Sequence, residues 1–264
     1  MNIVKRELRA NLKSMLILIG ALAFLIGVWM IEYKSFANSP EMAKLLAAFP
    51  QGLLAALGLQ DMSLTSLNGF IGSISLYIYL LLAIQAALLG SYIISKEESN
   101  KTAEFLYCMP VTRLRVIFTK TIAAIIMIIS LNLTTLSSML ISTLTYEKTP
   151  DFYKFITLIF LSSFIISMIF LSIGMAISAI SKTHKKSQNI TIAILMTTFS
   201  ISSLIAMIKS LEIFKFLSPF SYFKSSDIIN NLSLSPIYLT ISALIIICGL
   251  TITFTIYPKK DICV

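Results

Sequence analysis

The chain has 264 residues, of which 57% are hydrophobic and 12% are charged, and its formal net charge at pH 7 is +9. Soluble domains carry about 25% charged residues, so this chain has too little polar surface to enclose its apolar residues in water and is predicted to lie in a lipid bilayer. Three cysteines and one histidine give neither a disulfide framework nor a multi-histidine metal site, and the basic charge lacks the aromatic-basic motif of a nucleic-acid-binding protein.

The chain begins with a basic amphipathic stretch. Over residues 2–14, Ile3, Leu8 and Leu12 are apolar among lysines and arginines, which predicts a short helix in the membrane interface. The next apolar run, residues 15–31, is too long for the core of a signal peptide and has no small-residue cleavage site after it. We therefore expect it to remain as the first membrane span.

Long apolar stretches recur through the rest of the chain. A helix needs about 20 mostly apolar residues to cross a bilayer. Six stretches qualify, and the predicted spans are residues 15–31, 71–95, 116–146, 155–181, 190–208 and 237–257. The predicted fold class is an all-α integral membrane protein with six transmembrane helices.

The basic residues orient these spans. With the N-terminus in the cytoplasm, fourteen of the 21 lysines and arginines fall in cytoplasmic segments and seven in outer segments. This bias follows the positive-inside rule. It predicts a multi-pass protein of the cell membrane with both termini cytoplasmic.

The segment 38–70 is the longest on the predicted outer side. Ser39-Pro40-Glu41 is typical of a helix start, and Pro50 and Gly58 interrupt the remainder of the segment. The apolar piece Met42–Leu59 is too short to span, so we expect broken helices packed at the outer face.

The segment between the second and third spans carries the most specific pattern. Thr102, Phe105, Leu106 and Met109 recur at helical spacing, with acidic residues at other positions of the helix. Pro110 disfavours helix at the residue before it, and Thr112 can cap the next helix. Residues 97–109 are therefore predicted to form a short amphipathic helix whose apolar stripe docks on a soluble partner.

This segment resembles the signature of type-2 ATP-binding-cassette permeases, which runs roughly E-E-x-x-G-T-x-E-x-L-x-x-x-P-x-[ST]-R with a later Lys. The residues that match are Glu97, Glu98, Thr102, Glu104, Leu106, Pro110, Thr112, Arg113 and Lys120, whereas Lys101 stands where the family usually has Gly. Two weaker resemblances lie at Ser218–Phe223, followed by Asp227-Ile228, and at Tyr257–Asp261.

The resemblance implies the rest of the assembly. Two such permeases, identical or homologous, would form the membrane part, and each would carry a separate ATPase subunit that binds ATP and Mg²⁺. Residues 97–109 would be the coupling helix, residues 2–14 the elbow helix, and 38–70 the re-entrant helices of the outer gate. The implied ATPase-coupling residues are Glu97, Glu98, Thr102, Glu104, Phe105, Leu106, Met109, Pro110, Arg113 and Lys120, with Arg113 and Lys120 bracing the corner against headgroups or acidic side chains.

The sequence excludes some activities and leaves one alternative open. The chain has no G-x-x-x-x-G-K-[ST] loop, so it cannot bind a triphosphate by a P-loop. The chain is predicted not to be an enzyme, with ATP hydrolysis on a partner subunit. Glu97-Glu98 also resembles the E-E-x-x-x-R motif of intramembrane proteases, but Thr102 replaces the arginine and no span holds a histidine. The spans have no buried carboxylate, which ion-coupled carriers usually need. A stand-alone carrier or channel remains the alternative to an exporter subunit.

Polar residues inside the spans have two interpretations. Asn132, Thr135 and Ser142 form a line on the third span, and Thr198 belongs to a similar line on the fifth. They either line a substrate path or make hydrogen bonds within and between helices. Because the spans carry almost no fixed charge, the predicted cargo is amphipathic or apolar, such as a peptide, a drug or a lipid-like molecule. His184, among lysines, is predicted to lie in a solvated loop.

Overall fold

A computed structural model describes residues 3–37, 48–59, 62–99, 112–181 and 183–260. These ranges are helical throughout, with short connections and no strand. The helices are α1 (Ile3–Ala37), α2 (Gln51–Ala56), α3 (Leu67–Ser99), α4 (Arg113–Ser142), α5 (Phe152–Ile180), α6 (His184–Met207), α7 (Pro219–Tyr222), α8 (Ser225–Asn231) and α9 (Pro236–Ile256), with 3-10 helices at Lys209–Leu217 and Tyr257–Lys259.

Six of the described helices are long and apolar enough to cross a membrane, namely α1, α3, α4, α5, α6 and α9. The predicted fold class is therefore confirmed. The third predicted span ends at Ser142 rather than at residue 146. Thr143 donates its backbone N–H and its hydroxyl to the carbonyl of Met139, and Leu144 turns back onto Ile141, which closes the helix.

The predicted amphipathic helix over residues 2–14 is not a separate element. From Ile3 it continues without a break into the first span, so that α1 is 35 residues long. Neither Pro nor Gly occurs between Ile3 and Met15, and the side chain of Asn11 donates to the carbonyl of Glu7 one turn earlier. Nothing in this stretch therefore interrupts the backbone ladder.

The described part of segment 38–70 contains a short helix bounded by two chain-breaking residues. Helix α2 follows Pro50 and ends before Gly58, whose φ of +74° is left-handed. The N–H groups of Gly58 and Leu59 donate to the carbonyls of Ala55 and Leu54, which is the Schellman arrangement of a helix end. Residues 38–47 and 60–61 lie outside the described ranges, and re-entry of this segment into the membrane stays a prediction.

Small residues set the spacing of the central helix pair, α3 and α5. A Cβ atom on Gly90 would lie 2.4 Å from the carbonyl oxygen of Leu171, and one on Gly174 would lie 2.7 Å from that of Ala87. Both distances are shorter than Cβ contacts in proteins, so any side chain at either position would force the two helices to shift. The small-residue faces seen in the sequence thus bring two backbones together, and dispersion then holds them without a hydrophobic driving force.

The bundle has two ends. At one end, here called the terminal face, the end of α3 bonds to the first turns of α1, to the start of α6 and to the chain after α9, and that chain also bonds to the start of α4. At the other end, the opposite face, Tyr146 reaches α1 by a hydrogen bond to Met30, and Asn68 at the start of α3 bonds to Thr149. The largest apolar cluster joins α1, α3 and α5 near the opposite face and in the centre, and a second cluster lies nearer the terminal face.

Candidate functional site

The predicted coupling helix falls largely outside the described residues. Helix α3 runs to Ser99, and the chain is described again from Thr112. The coupling roles of Glu97, Glu98, Thr102, Glu104, Phe105, Leu106, Met109 and Pro110 therefore stay predictions. The described structure shows how the two helices that carry this segment are held.

Helix α4 begins as the sequence predicts. Thr112 is its N-cap, with an extended backbone, and its hydroxyl accepts a hydrogen bond from the backbone N–H of Arg115. The guanidinium of Arg113, in the first turn, donates to the carbonyl oxygens of Pro258 and Lys260 at 3.1 and 3.0 Å. This residue consequently ties the start of α4 to the chain after α9.

Lys120 is buried, with 2% of its surface exposed. Its ammonium donates to the carbonyl oxygen of Ile93 on α3 at 2.6 Å. A buried ammonium needs such partners, because removing it from water is costly. The described contact is thus with the backbone of a neighbouring helix, whereas the sequence predicted headgroups or acidic side chains.

A buried ion pair connects α1 with the last turns of α3. The carboxylate of Glu7, 1% exposed, accepts from the ammonium of Lys96 at 3.0 Å, and Arg6 lies 3.6 Å from its other oxygen. No role for Glu7 is predicted from the sequence pattern. The signal was present, because Glu7 is the only acidic residue before Glu32 and interrupts a strongly basic stretch.

Two aromatic side chains complete the contacts on this helix end. His184 is the first residue of α6, half-buried, with its Nδ1 2.7 Å from the hydroxyl of Ser95 and its ring against Tyr92. The prediction of a solvated loop was therefore wrong, since α6 starts earlier than the apolar pattern indicates. From the other side, the hydroxyl of Tyr257 donates to the carbonyl of Ile94 at 3.1 Å.

Together these contacts form what we call the collar, defined by Glu7, Lys120, His184 and Tyr257 around residues 92–96 of α3. Four other helical elements thus bind consecutive residues within about one turn of α3. A collar of charged and polar contacts resists sliding of one helix past another more than apolar packing does, because each contact is directional. Displacement of the end of α3 would consequently move the whole terminal face as a unit.

Three of the four predicted substrate-path residues, Asn132, Thr135 and Thr198, have hydrogen-bond partners within the bundle. Asn132 is buried and donates to the carbonyl of Ile128, while its oxygen accepts from the hydroxyl of Ser163 on α5 at 2.8 Å. The hydroxyl of Thr135 donates to the carbonyl of Asn132, and that of Thr198 to the carbonyl of Leu195. Ser142 is half-buried at the last position of α4.

These residues do not form one described lining. Asn132 belongs to the contact of α4 with α5, whereas the carbonyl of Thr198 accepts from Ser218 in the chain after α6. Thr135 and Ser163 border a void of about 20 Å³, which is room for about one water molecule. The described geometry favours hydrogen bonding between helices for Asn132 and leaves the path itself a prediction.

The chain was compared with known protein families. A sequence model of the ABC-2 family transporter proteins matches residues 1–257, a range that contains every described α-helix. No curated protein matches the chain.

Proposed function

The chain belongs to the ABC-2 family of transporter proteins, and we propose that this ABC-type permease is the membrane-spanning subunit of an ATP-driven exporter. Its partner would be a separate ABC-type ATPase subunit that binds ATP and Mg²⁺ at the terminal face. The observation that carries the proposal is the collar, which binds the end of α3 next to the predicted coupling helix.

In this proposal the coupling helix at 97–109 receives the movement of the ATPase when ATP closes it. Phe105, Leu106 and Met109 form the apolar contact, and Glu97, Glu98 and Glu104 form the polar one. The segment joins α3 to α4, and both helices are bound to their neighbours through Lys120 and Arg113. A push on the segment therefore rotates a connected group of helices rather than one helix.

The same proposal places the terminal face in the cytoplasm. Most of the 21 lysines and arginines lie in segments that end at this face, as the positive-inside rule requires of cytoplasmic loops. The protein is then a multi-pass component of the cell membrane with both termini inside. The opposite face, with α2 and α8, looks outward.

A second permease, identical or homologous, would complete the membrane part. The long faces of α1 and α9 are mostly exposed in the single chain, so lipid or a second copy can cover them. The cargo, moved outward, would be amphipathic or apolar, such as a peptide, a drug or a lipid-like molecule. The support is the near absence of charge within the spans, where Lys120 is already committed to α3.

The test is coupling to a candidate ABC-type ATPase subunit that is co-expressed, purified and reconstituted with this chain. Reversing two charges of the predicted joint, Glu98→Lys with Glu104→Lys, should reduce co-purification and lower permease-dependent ATPase activity about tenfold or more, since removal of a buried interface charge costs about 2 kcal/mol or more. The matched control is Glu32→Lys with Glu147→Lys, two carboxylates near the opposite face and away from the joint.

Equal activity in the two double variants would show that the joint lies elsewhere. If the isolated permease moves cargo across proteoliposomes without any ATPase, the chain is a stand-alone carrier or channel. If no ATPase co-purifies with the unaltered chain and its activity is independent of ATP, the exporter proposal is wrong.

A further inference from the structure

A cavity of about 350 Å³ opens at the opposite face of the bundle, far from the collar. Its walls come from α2, the first half of α3, the end of α6 and the segment from the 3-10 helix to α8. Leu76, Phe220 and Phe223 supply apolar surface. The volume lies at the lower end of the range for small-ligand sites, about 300–1,000 Å³.

Two of the apolar walls belong to the stretch Ser218–Phe223, which the sequence analysis singled out. Helix α7 is buried throughout, and Ser218 fixes it to α6 by donating to the carbonyl of Thr198 at 2.7 Å. Phe220 packs against Phe170 and Phe199 with ring centroids 5.3 and 5.4 Å away. This wall is therefore held in place by the bundle and does not depend on a ligand for its shape.

Charge in the cavity is distributed unevenly between the rim and the interior. Glu212 and Asp227 are exposed, whereas Lys215 and Lys224 are partly buried. Glu212 pairs with Lys215 at 3.4 Å. Among the described residues, the ammonium of Lys224 has neither a hydrogen bond nor an ion pair within 4 Å of it, so it has no close anionic partner inside the cavity.

The electrostatics of Lys224 agree with these contacts. Burial lowers the pKa of the Lys224 ammonium, repulsion from Lys215 lowers it further, and attraction from Asp227 and Glu212 does not restore it. The positive form is therefore incompletely stabilised by the protein alone. An anionic group bound beside Lys224 would supply the close negative charge that the carboxylates of Glu212 and Asp227 at the rim do not.

A second polar group on the cavity wall lacks a partner. Tyr79 is 1% exposed and lines the cavity, and its hydroxyl makes no hydrogen bond of normal geometry in the described structure. The hydroxyls of Ser75, Ser162 and Ser225 lie next to it without reaching hydrogen-bond geometry, and Ser75 and Ser225 bond to each other. Tyr79, Lys224 and Ser225 all line this cavity, and Ser225 is next to Lys224 in the chain.

We propose that this cavity binds a small amphiphile through one anionic group, a carboxylate or a phosphate. Lys224 holds the anionic group by charge-assisted hydrogen bonding, the hydroxyl of Tyr79 donates the second hydrogen bond, and the apolar part lies against Leu76, Phe220 and Phe223. The site is independent of the ATPase joint and rests only on the residues around the cavity. A phospholipid of the adjoining leaflet and an acidic peptide or fatty acid both present this chemistry.

Binding is measured on the purified chain in a neutral maltoside detergent by isothermal titration calorimetry. Octyl phosphate represents the lipid headgroup, N-octanoylglycine represents the peptide carboxylate, and 1-octanol has the same tail without charge. We expect at least one anionic probe to bind at least tenfold more tightly than 1-octanol. The anionic probe that binds more tightly identifies the source of the natural ligand.

Variants locate the site. Lys224→Met should weaken the anionic probe tenfold or more, Lys224→Arg should retain most of the affinity, and Tyr79→Phe should weaken it several-fold. Asp227→Asn should strengthen binding, because it removes a competing negative charge from the rim. Lys154→Met is the matched control, since Lys154 is an exposed lysine of the same face outside the cavity.

The pH dependence gives a readout that a structural role of Lys224 would not produce. Affinity for the anionic probe should fall as the pH rises and Lys224 loses its proton, and this fall should begin at a lower pH than for an ordinary lysine because its pKa is lowered. The charges that face Lys224 are Lys215, Glu212 and Asp227. Equal affinity for octanol and for the anionic probes, or equal loss in Lys224→Met and Lys154→Met, would overturn the proposal.

Discussion

The buried ion pair of the collar gives the sharpest prediction. Replacing Lys96 by Met leaves the carboxylate of Glu7 at 1% exposure with Arg6 at 3.6 Å as its described ionic neighbour. Loss of one partner from a fully buried pair costs about 3–5 kcal/mol. Because Arg6 remains, we expect Lys96→Met to reduce the free energy of unfolding by about 2–3 kcal/mol.

Replacing Glu7 should reduce the free energy of unfolding by less than replacing Lys96 does. In Glu7→Gln the ammonium of Lys96 loses its carboxylate partner. The Lys96 side chain is 17% exposed and its ammonium lies 5.9 Å from the centre of the Tyr92 ring, so a small movement brings it into water. A long lysine stem permits this movement, so we expect a loss of about 1–2 kcal/mol. The double variant Glu7→Gln with Lys96→Met leaves no buried charge in the pair, and it should be more stable than Lys96→Met alone.

The assay is reversible unfolding in mixed micelles, with the free energy of unfolding compared in a double-mutant cycle. Lys13→Met is the control, because it removes an exposed lysine from the same helix as Glu7 and should change stability by no more than about 0.5 kcal/mol. Additive effects of the two single changes, or a Lys96→Met variant as stable as Lys13→Met, would refute the reasoning.

Two further predictions concern the interior of the bundle. Gly90→Ala should destabilise the protein by about 1–3 kcal/mol, because the new methyl meets a carbonyl of α5 at 2.4 Å. The control Gly27→Ala, in the open face of α1, should be neutral or stabilising. The same unfolding assay compares the two variants, and equal stability would contradict the close packing of α3 and α5. A double-mutant cycle of Asn132→Leu and Ser163→Ala should give a coupling energy of about 0.6 kcal/mol and at most about 1.7 kcal/mol. A loss of transport in Asn132→Leu far beyond that expected from its stability would instead place Asn132 on the substrate path.

The sequence predicted the architecture well where one physical term dominates. Apolar stretches long enough to cross a bilayer are unambiguous, since a charged or polar residue in lipid is costly, and all six appear as long helices. Pro50 and Gly58 likewise border α2, because the proline ring and the left-handed backbone of glycine act only on neighbouring residues. The N-cap at Thr112 follows from the same kind of local chemistry.

The sequence predicted less where the outcome depends on neighbours. The basic stretch 2–14 has the composition of an interfacial helix, but its carboxylate at Glu7 finds Lys96 on another helix, and the helix continues into the bundle. His184 has the sequence surroundings of a loop residue, although Ser95 and Tyr92 give it a place at the start of α6. In both cases the partner is about ninety residues away in the chain, where periodicity carries no information.

By itself the sequence determined that this protein lies in the membrane, how many helices can cross it and where the coupling segment is predicted, because hydrophobicity and chain-breaking residues act over a few neighbouring residues. Only the tertiary structure decided which polar groups have a hydrogen-bond or ionic partner among the described residues and which do not. Lys120 and Lys224 are both lysines, yet one donates to the carbonyl of Ile93 and the other lines a cavity. That difference arises because the burial and the partners of a charge are set by helices that meet only when the whole bundle has folded.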